Sequence, residues 1–392
     1  MTEFSVTEER NQTPAVKTLI HFNNAGASLM PNVVVDGIKK YIDSEASQGG
    51  YETARHFAKE LELFYDHTAK LINSKPEEIA FTESATVAWQ RAFHSIPLEK
   101  GDVIITCISE YASNYIAYLQ LAKLKAIDIV IIPNDENGAI DIQALESAIT
   151  PKVKLVSICH IPTGNGLINP AEEVGVITQK HKVLYLLDAC QSVGQYPIDV
   201  EKIKCDFLSA TGRKYLRGPR GTGFLYARQE TTIGFEPLSL DLHSAEWIDA
   251  ESYRIRSDAK KYETWECNLS AKHGLSLAIN HLNQLGIENV QERVSVVANY
   301  LRECLGSFAH IHVMDTGTFK SGIITFISEK NGAEDIMKYL SKDQINVSVI
   351  VAGSSLFDLQ ERNITEAVRA SVHYYNTTDE VDKFITILEK LQ

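Results

Sequence analysis

No two cysteines of this sequence form a C-x-x-C pair, and no histidine–cysteine cluster has zinc-ligand spacing. No metal is therefore expected. The six cysteines, at 107, 159, 190, 205, 267 and 304, are scattered, and several sit in apolar runs such as Val156–Cys159. That pattern predicts buried, reduced thiols and a cytoplasmic protein. No apolar run is long enough to span a bilayer. Residues 1–12 are polar and acidic and lack the apolar core of a signal peptide. Basic residues are outnumbered, 38 against 51 acidic, for a formal charge of −13. Nucleic acid and anionic membranes are excluded as expected partners on that ground. Internal repeats, low-complexity tracts and coiled-coil heptads are missing too.

What remains is an ordinary globular composition, 44% hydrophobic and 23% charged, over 392 residues. That length is large for one core and predicts two domains. From 79 to 227 short apolar runs alternate with helical patterns. Strands are expected at Ile79–Thr82, Val103–Thr106, Ile127–Ile132, Leu155–Cys159, Val183–Leu187, Phe207–Ala210 and Gly223–Ala227. Helices fill the gaps, and one helix is expected over Ala54–Ile72. Such alternation implies crossovers and a mostly parallel sheet. Ile233–Thr264 is polar and reads as long connecting structure. Beyond it, helices and strand-like runs such as Ile311–Met314, Ile323–Ile327 and Val347–Val351 predict a smaller α+β domain.

One stretch organises the chain. The apolar run Val183–Leu187 ends on Asp188, and the run from Asp206 to Ala210 is followed by Thr211-Gly212-Arg213-Lys214. After it comes Arg217-Gly218-Pro219-Arg220-Gly221-Thr222-Gly223, a turn no helix could contain. In open α/β sheets chemistry gathers at the carboxyl ends of strands. Here a carboxylate and an amine each lie just past such an end, 26 positions apart (214 minus 188). That pair suits pyridoxal 5'-phosphate (PLP): a lysine forms an aldimine with the cofactor aldehyde, and an acid keeps the pyridine nitrogen protonated. Taken singly, Asp188 reads as a helix cap and Lys214 as a solvated loop residue. The ordered set, with Gln191 and the glycine turn, is specific.

The set resembles the fold-type I PLP enzymes of the class V aminotransferase and cysteine desulfurase group. Their pattern is a strand, D-x-x-Q, a second D-x-x-x-x-S/T-x-x-K and a glycine-rich turn. The likeness extends from Asn23-Asn24-Ala25-Gly26 to Arg369-Ala370-Ser371. It implies a seven-stranded large domain over 31–257, a small C-terminal domain over 258–392 and an arm, 1–30, packing with the small domain. It also implies a homodimer.

Residue by residue, the resemblance places the phosphate on the Ala85 and Thr86 amides of the Glu83-Ser84-Ala85-Thr86 turn, with Thr211 and Arg213. A helix start supplies such donors. Tyr111, in Ser109–Asn114, stands where the family has a ring-stacking histidine. Gln191 matches the ring-hydroxyl ligand. Thr163 stands where desulfurases have asparagine, and Asn165 competes with it for the cofactor and substrate space. His160 reads as structural. Arg369 matches the arginine that binds a substrate carboxylate; a bland alternative pairs it with Glu366. Lys214 is the expected base and Asp188 the ring-nitrogen partner. Glu266 replaces the threonine that in the family reaches across the dimer.

The expected function is aminotransferase-like action on an α-amino acid, through an external aldimine and Cα–H abstraction. The branch resembling hercynylcysteine sulfoxide lyase and isopenicillin N epimerase-like proteins offers a C–S lyase or an epimerase as alternatives. Desulfurases carry a loop cysteine before the arginine, and none lies between Ile345 and Arg369. A desulfurase therefore ranks lower, and a pseudoenzyme or scaffold lowest, because Lys214, Asp188 and the phosphate turn are all present.

Overall fold

The computed structural model describes residues 4–391. Residues 1–3 of the expected arm and residue 392 of the expected small domain lie outside the described residues. The strands are β1 (Ile20–His21), β2 (Ile79–Thr82), β3 (Val103–Cys107), β4 (Asp128–Ile132), β5 (Val153–Cys159), β6 (Leu184–Asp188), β7 (Phe207–Thr211) and β8 (Gly223–Ala227). They continue as β9 (Ala245–Asp249), β10 (Ser252–Ile255), β11 (Ile311–Val313), β12 (Ile323–Ser328), β13 (Ile345–Asn346), β14 (Ser348–Val351) and β15 (Glu366–Ser371).

Seven strands form the main sheet in the order β2-β8-β7-β6-β5-β3-β4. All seven coincide with the expected apolar runs to within two residues. Neighbours from β7 to β4 are parallel, while β8 runs antiparallel to both β2 and β7. Two reversals restore the direction, so β2 points the same way as β7. The turn after β2 therefore emerges on the same sheet edge as the loops after β3, β5, β6 and β7. This topology brings five separate sequence segments to one place.

Side chains alternate across the sheet as a pleated strand requires. In β6, Leu186 enters the core beneath Trp89, Phe93 and Tyr118, while Tyr185 and Leu187 enter the core on the opposite face. All are fully buried. Truncating Leu186 to alanine would cost about 2–5 kcal/mol. Both faces must be covered, which is why β6 reads as a continuous apolar run.

The second sheet, β11-β12-β15-β14, is antiparallel. β1 pairs in parallel with β13, Ile20 opposite Ile345, and Asn23 bridges to Ser371. Helix Leu269–Leu285, beyond the expected boundary at 257, packs along helices Asn32–Gln48 and Ala58–Ile72. A Cβ on Gly37 would lie 2.1 Å from Leu277 Cδ1, so a larger residue there would have to displace the tip of Leu277.

Three expectations are corrected. The single helix expected over Ala54–Ile72 is two, Gly50–His56 and Ala58–Ile72, interrupted at Phe57 (φ −94°, ψ 12°). The break seats the buried Phe57 ring 4.9 Å from that of Tyr41. The connection from 233 to 264 contains the β9–β10 hairpin, with Tyr253 opposite Trp247. The polar N-terminal arm contains helix Val6–Asn11, capped by Ser5. Its Glu9 is buried beside Arg217, a tertiary partner that local periodicity does not reveal.

Candidate active site

Five loops at the carboxyl edge of the main sheet enclose one pocket. Ala85, Thr86, Tyr111 and Thr163 line it from the loops after β2, β3 and β5. Asp188, Gln191, Thr211, Arg213 and Lys214 line it from the loops after β6 and β7. Arg369 stands behind Thr163, and Asn165 is not part of the wall.

Helix Ala85–Ser95 starts at the pocket. Ser84 caps it, its Oγ accepting from the Val87 amide at 3.2 Å. The Ala85 and Thr86 amides precede any intrahelical acceptor and are free to bind an anion. β8 passes so close that a Cβ on Gly223 would come within 3.0 Å of the Ala85 nitrogen. Glycine there keeps the helix start open. Thr211 is nearly buried at the end of β7, and the Arg213 guanidinium donates to the Gly26 carbonyl.

Lys214 is 8% exposed. Burial lowers its pKa, and the Arg213 and Arg369 cations add to that, while Cys190 and Asp188 oppose it. Asp188 is anchored on both oxygens. Its Oδ1 accepts from the Cys190 amide at 2.9 Å, and its Oδ2 accepts from Asn114 Nδ2 at 2.9 Å.

Gln191 Nε2 donates to Thr163 Oγ1 at 3.0 Å and to the Ala25 carbonyl at 3.2 Å. Its Oε1 is buried without a partner. Arg369 lies on β15. Its Nη1 donates to Thr163 Oγ1 at 2.8 Å and its Nη2 to Asn23 Oδ1 at 3.4 Å. Burial lowers its pKa to about 10, and its buried Nε has no partner. Glu366 is not its counter-ion, because Glu366 accepts from the Ala333 amide instead.

Asn165 departs from expectation. It is fully buried, and its Nδ2 donates to Thr316 Oγ1 (2.8 Å) and Asp358 Oδ1 (3.3 Å). Its Oδ1 accepts from the Leu167 and Thr316 amides. An amide so fully used within the protein has nothing left for a substrate. Five residues outside the expected set line the pocket: Ser84, Asn114, Cys159, Ile161 and Cys190. The spacing Glu110-x-x-x-Asn114 was the available signal for Asn114, since four residues along a helix share a face.

These features fit PLP. A free helix start and Arg213 suit a phosphate, Lys214 and Asp188 face the same space, and two buried polar atoms, Gln191 Oε1 and Arg369 Nε, wait for partners. Polar atoms left unpaired at this pocket are available to a bound group.

Comparison with known proteins agrees. The chain matches the family Aminotransferase class-V over residues 20–384. It is similar to a probable cysteine desulfurase of Methanothermobacter thermautotrophicus, 27% identical over 99% of this chain and 98% of that protein. A probable cysteine desulfurase of Pyrococcus abyssi is also 27% identical, over 97% and 96%. Among solved structures, the apo cysteine desulfurase of Thermococcus onnurineus NA1 superposes with a TM-score of 0.92 at 25% identity, covering 100% of this chain and 98% of that one. Fold, pocket and family match lead to one conclusion: the chain belongs to the aminotransferase class-V family and is a PLP-dependent enzyme.

Proposed function

We propose that this enzyme acts on an α-amino acid, holding its carboxylate at Arg369 and taking the Cα proton on Lys214 Nζ, in aminotransferase-like chemistry. The observation that carries this reading is a buried lysine facing a buried aspartate across one pocket, with a partly unpaired arginine at its side. When bound, PLP supplies an aldehyde and a protonated ring that draws electrons from Cα.

The residues divide the work. Burial and two neighbouring cations favour the neutral form of Lys214, which is both the nucleophile and the proton acceptor. Asp188, oriented by Asn114 and the Cys190 amide, would hold the proton at the ring nitrogen. The Ala85 and Thr86 amides, with Thr211 and Arg213, would bind the phosphate. Tyr111 would cover the ring, while Gln191 and Thr163 would orient its hydroxyl. The planar Arg369 guanidinium gives a carboxylate two parallel bonds.

The relatives' names favour cysteine as substrate. Persulfide transfer by a loop cysteine is disfavoured. No cysteine lies between Ile345 and Arg369, and that segment continues into helix Leu356–Glu361. The helix is held by an ion pair of Asp358 with Arg362, whose Nη2 donates to the Gly164 carbonyl. Cleavage of a Cβ–S bond needs no protein thiol, so a C–S lyase is the second reading; an epimerase requires only a second proton donor.

We also infer a homodimer. Trp247 is 75% and Trp265 61% exposed near the polar connection, large apolar surface for a free subunit. Among the described residues, no helix is long and apolar enough to cross a membrane.

The deciding experiment is an amino-acid panel including cysteine, read three ways. Conversion to the pyridoxamine form reports transamination, release of pyruvate and ammonia reports a lyase, and deuterium uptake at Cα alone reports an epimerase. Efficient sulfide release through a protein-bound persulfide would overturn the reading.

A further inference from the structure

Beneath the pocket, Glu110 is 3% exposed and receives five hydrogen bonds. Its Oε1 accepts from the Tyr111 amide (2.8 Å), Asn114 Nδ2 (2.9 Å) and Cys159 Sγ (3.1 Å). Its Oε2 accepts from Thr106 Oγ1 (2.8 Å) and Tyr118 OH (3.0 Å). The other hydrogen of the Asn114 amide goes to Asp188 Oδ2. One amide thus ties two buried carboxyl groups together, 74 and 4 positions away from it in sequence.

We propose that Glu110 is a positioning residue: a proton-bearing carboxylic acid that fixes Asp188 through the Asn114 amide and leaves the negative charge of the pocket floor to Asp188. The proposal rests on PLP being the occupant of the pocket.

The donor pattern supports it. The two obligatory donors, both N–H groups, fall on Oε1. The two groups on Oε2 are hydroxyls, which accept as readily as they donate. A proton on Oε2 therefore finds an acceptor without moving any atom. All five partners of Glu110 are neutral, and among the described residues Glu110 makes no ion pair. Asp188, by contrast, lies close enough to Lys214 to act on its titration. Ligand atoms of Glu110, Cys159 and Asp188 lie within 4.8 Å of one another. Two carboxylates so close in a buried site do not both ionise. The same convergence is no cation cage, because hydrogen-bond donors already occupy the Glu110 oxygens.

The titratable groups facing Glu110 are Cys107 on β3, Tyr111 and Tyr118 around helix Ala112–Lys125, Cys159 on β5 and Asp188 on β6. Burial pushes Cys107 up to about 12 and raises Cys159 and Tyr118 as well. Burial likewise raises Glu110, with the nearby Asp188 adding to the shift. The folded chain therefore keeps the Glu110 proton to a higher pH than the unfolded chain does. The contribution of Glu110 to stability is present below 4.5 and is lost as pH rises towards its raised folded-state value, because over that range the native state binds more protons at this site.

The test uses full-length wild type, Glu110→Gln, Glu110→Ala and Asn114→Ala. Two properties are read: Tm against pH without PLP, and the pH midpoint of the visible absorption band with PLP. Glutamine mimics the protonated acid, its carbonyl taking the two N–H donors and its NH2 facing the hydroxyls. Glu110→Gln should lose the part of the Tm change that Glu110 contributes as pH rises above 4.5, while keeping the visible band. Glu110→Ala and Asn114→Ala should shift the band's pH midpoint and weaken PLP binding by roughly tenfold, the worth of one or two hydrogen bonds. A Tm profile for Glu110→Gln parallel to wild type would overturn the proton-bearing role. Unchanged midpoints in both alanine variants would overturn the positioning role. Failure of wild type to bind PLP would instead defeat the cofactor reading, and the Tm comparison would still decide the proton on Glu110.

Discussion

The floor and the mouth of the pocket are built on opposite principles. At the floor, Glu110 makes five hydrogen bonds and Asn114 spends both amide hydrogens on carboxyl groups. At the mouth, Gln191 Oε1 and Arg369 Nε are buried without partners, and Thr163 Oγ1 serves both side chains at once. A saturated network is rigid and holds one charge in one place. An unsaturated one favours whatever ligand completes it. The floor thus suits one fixed group, and the unpaired atoms of Gln191 and Arg369 leave room for partners that the protein does not supply.

Four changes would break or sharpen this contrast. The largest effect is expected for Lys214→Ala, which removes the group facing both regions. Turnover should fall by at least about 10²–10⁴-fold, the usual worth of a positioned acid–base group. Borohydride reduction of wild type should label the peptide containing Lys214; a label on any other lysine would refute the assignment. Next is Asp188→Asn at the floor. It keeps the shape but loses the charge proposed to hold the ring proton. A strong drop in kcat is expected, with PLP still bound as judged by absorbance, and unchanged kcat would remove Asp188 from the mechanism.

At the mouth, Arg369→Ala should weaken substrate binding by about 2–5 kcal/mol, as expected for loss of a buried charge-assisted contact. The effect should appear in KM for amino acids and spare PLP affinity. Loss of both in equal measure would mean that floor and mouth are not separate. The smallest catalytic effect is expected for Asn165→Ala. Its buried amide bonds are structural, so stability should drop by about 1–3 kcal/mol in denaturant melts while KM stays near wild type. A KM increase as large as that of Arg369→Ala would return Asn165 to the substrate site.

Legibility in the sequence followed the same division. Main-sheet strands were readable because both faces are buried, which makes each strand an uninterrupted apolar run. Most of the pocket-lining residues expected were readable because they cluster at strand ends within short ordered motifs, such as Asp188–Gln191 and Thr211–Lys214. Misread stretches had partners far away in sequence. The N-terminal helix looks like a polar arm because its buried face is one charged residue, Glu9, matched by Arg217 some 200 positions on. Asn165 sits between glycines, a setting that suggests a reaching side chain. Yet Thr316 and Asp358 claim its amide from another part of the chain.

By itself, then, the sequence determined the strand–helix alternation, the mostly parallel sheet and the placing of Asp188 and Lys214 at neighbouring strand ends, since each rests on local periodicity or a short motif. Tertiary structure alone decided that Asn114 would join Glu110 to Asp188, that Arg369 would stand behind Thr163 and that Asn165 would turn away. Those outcomes depend on which loops the double reversal at β8 and the β15 strand bring together. Side-chain direction across such distances is fixed by packing, which no window of neighbouring residues encodes.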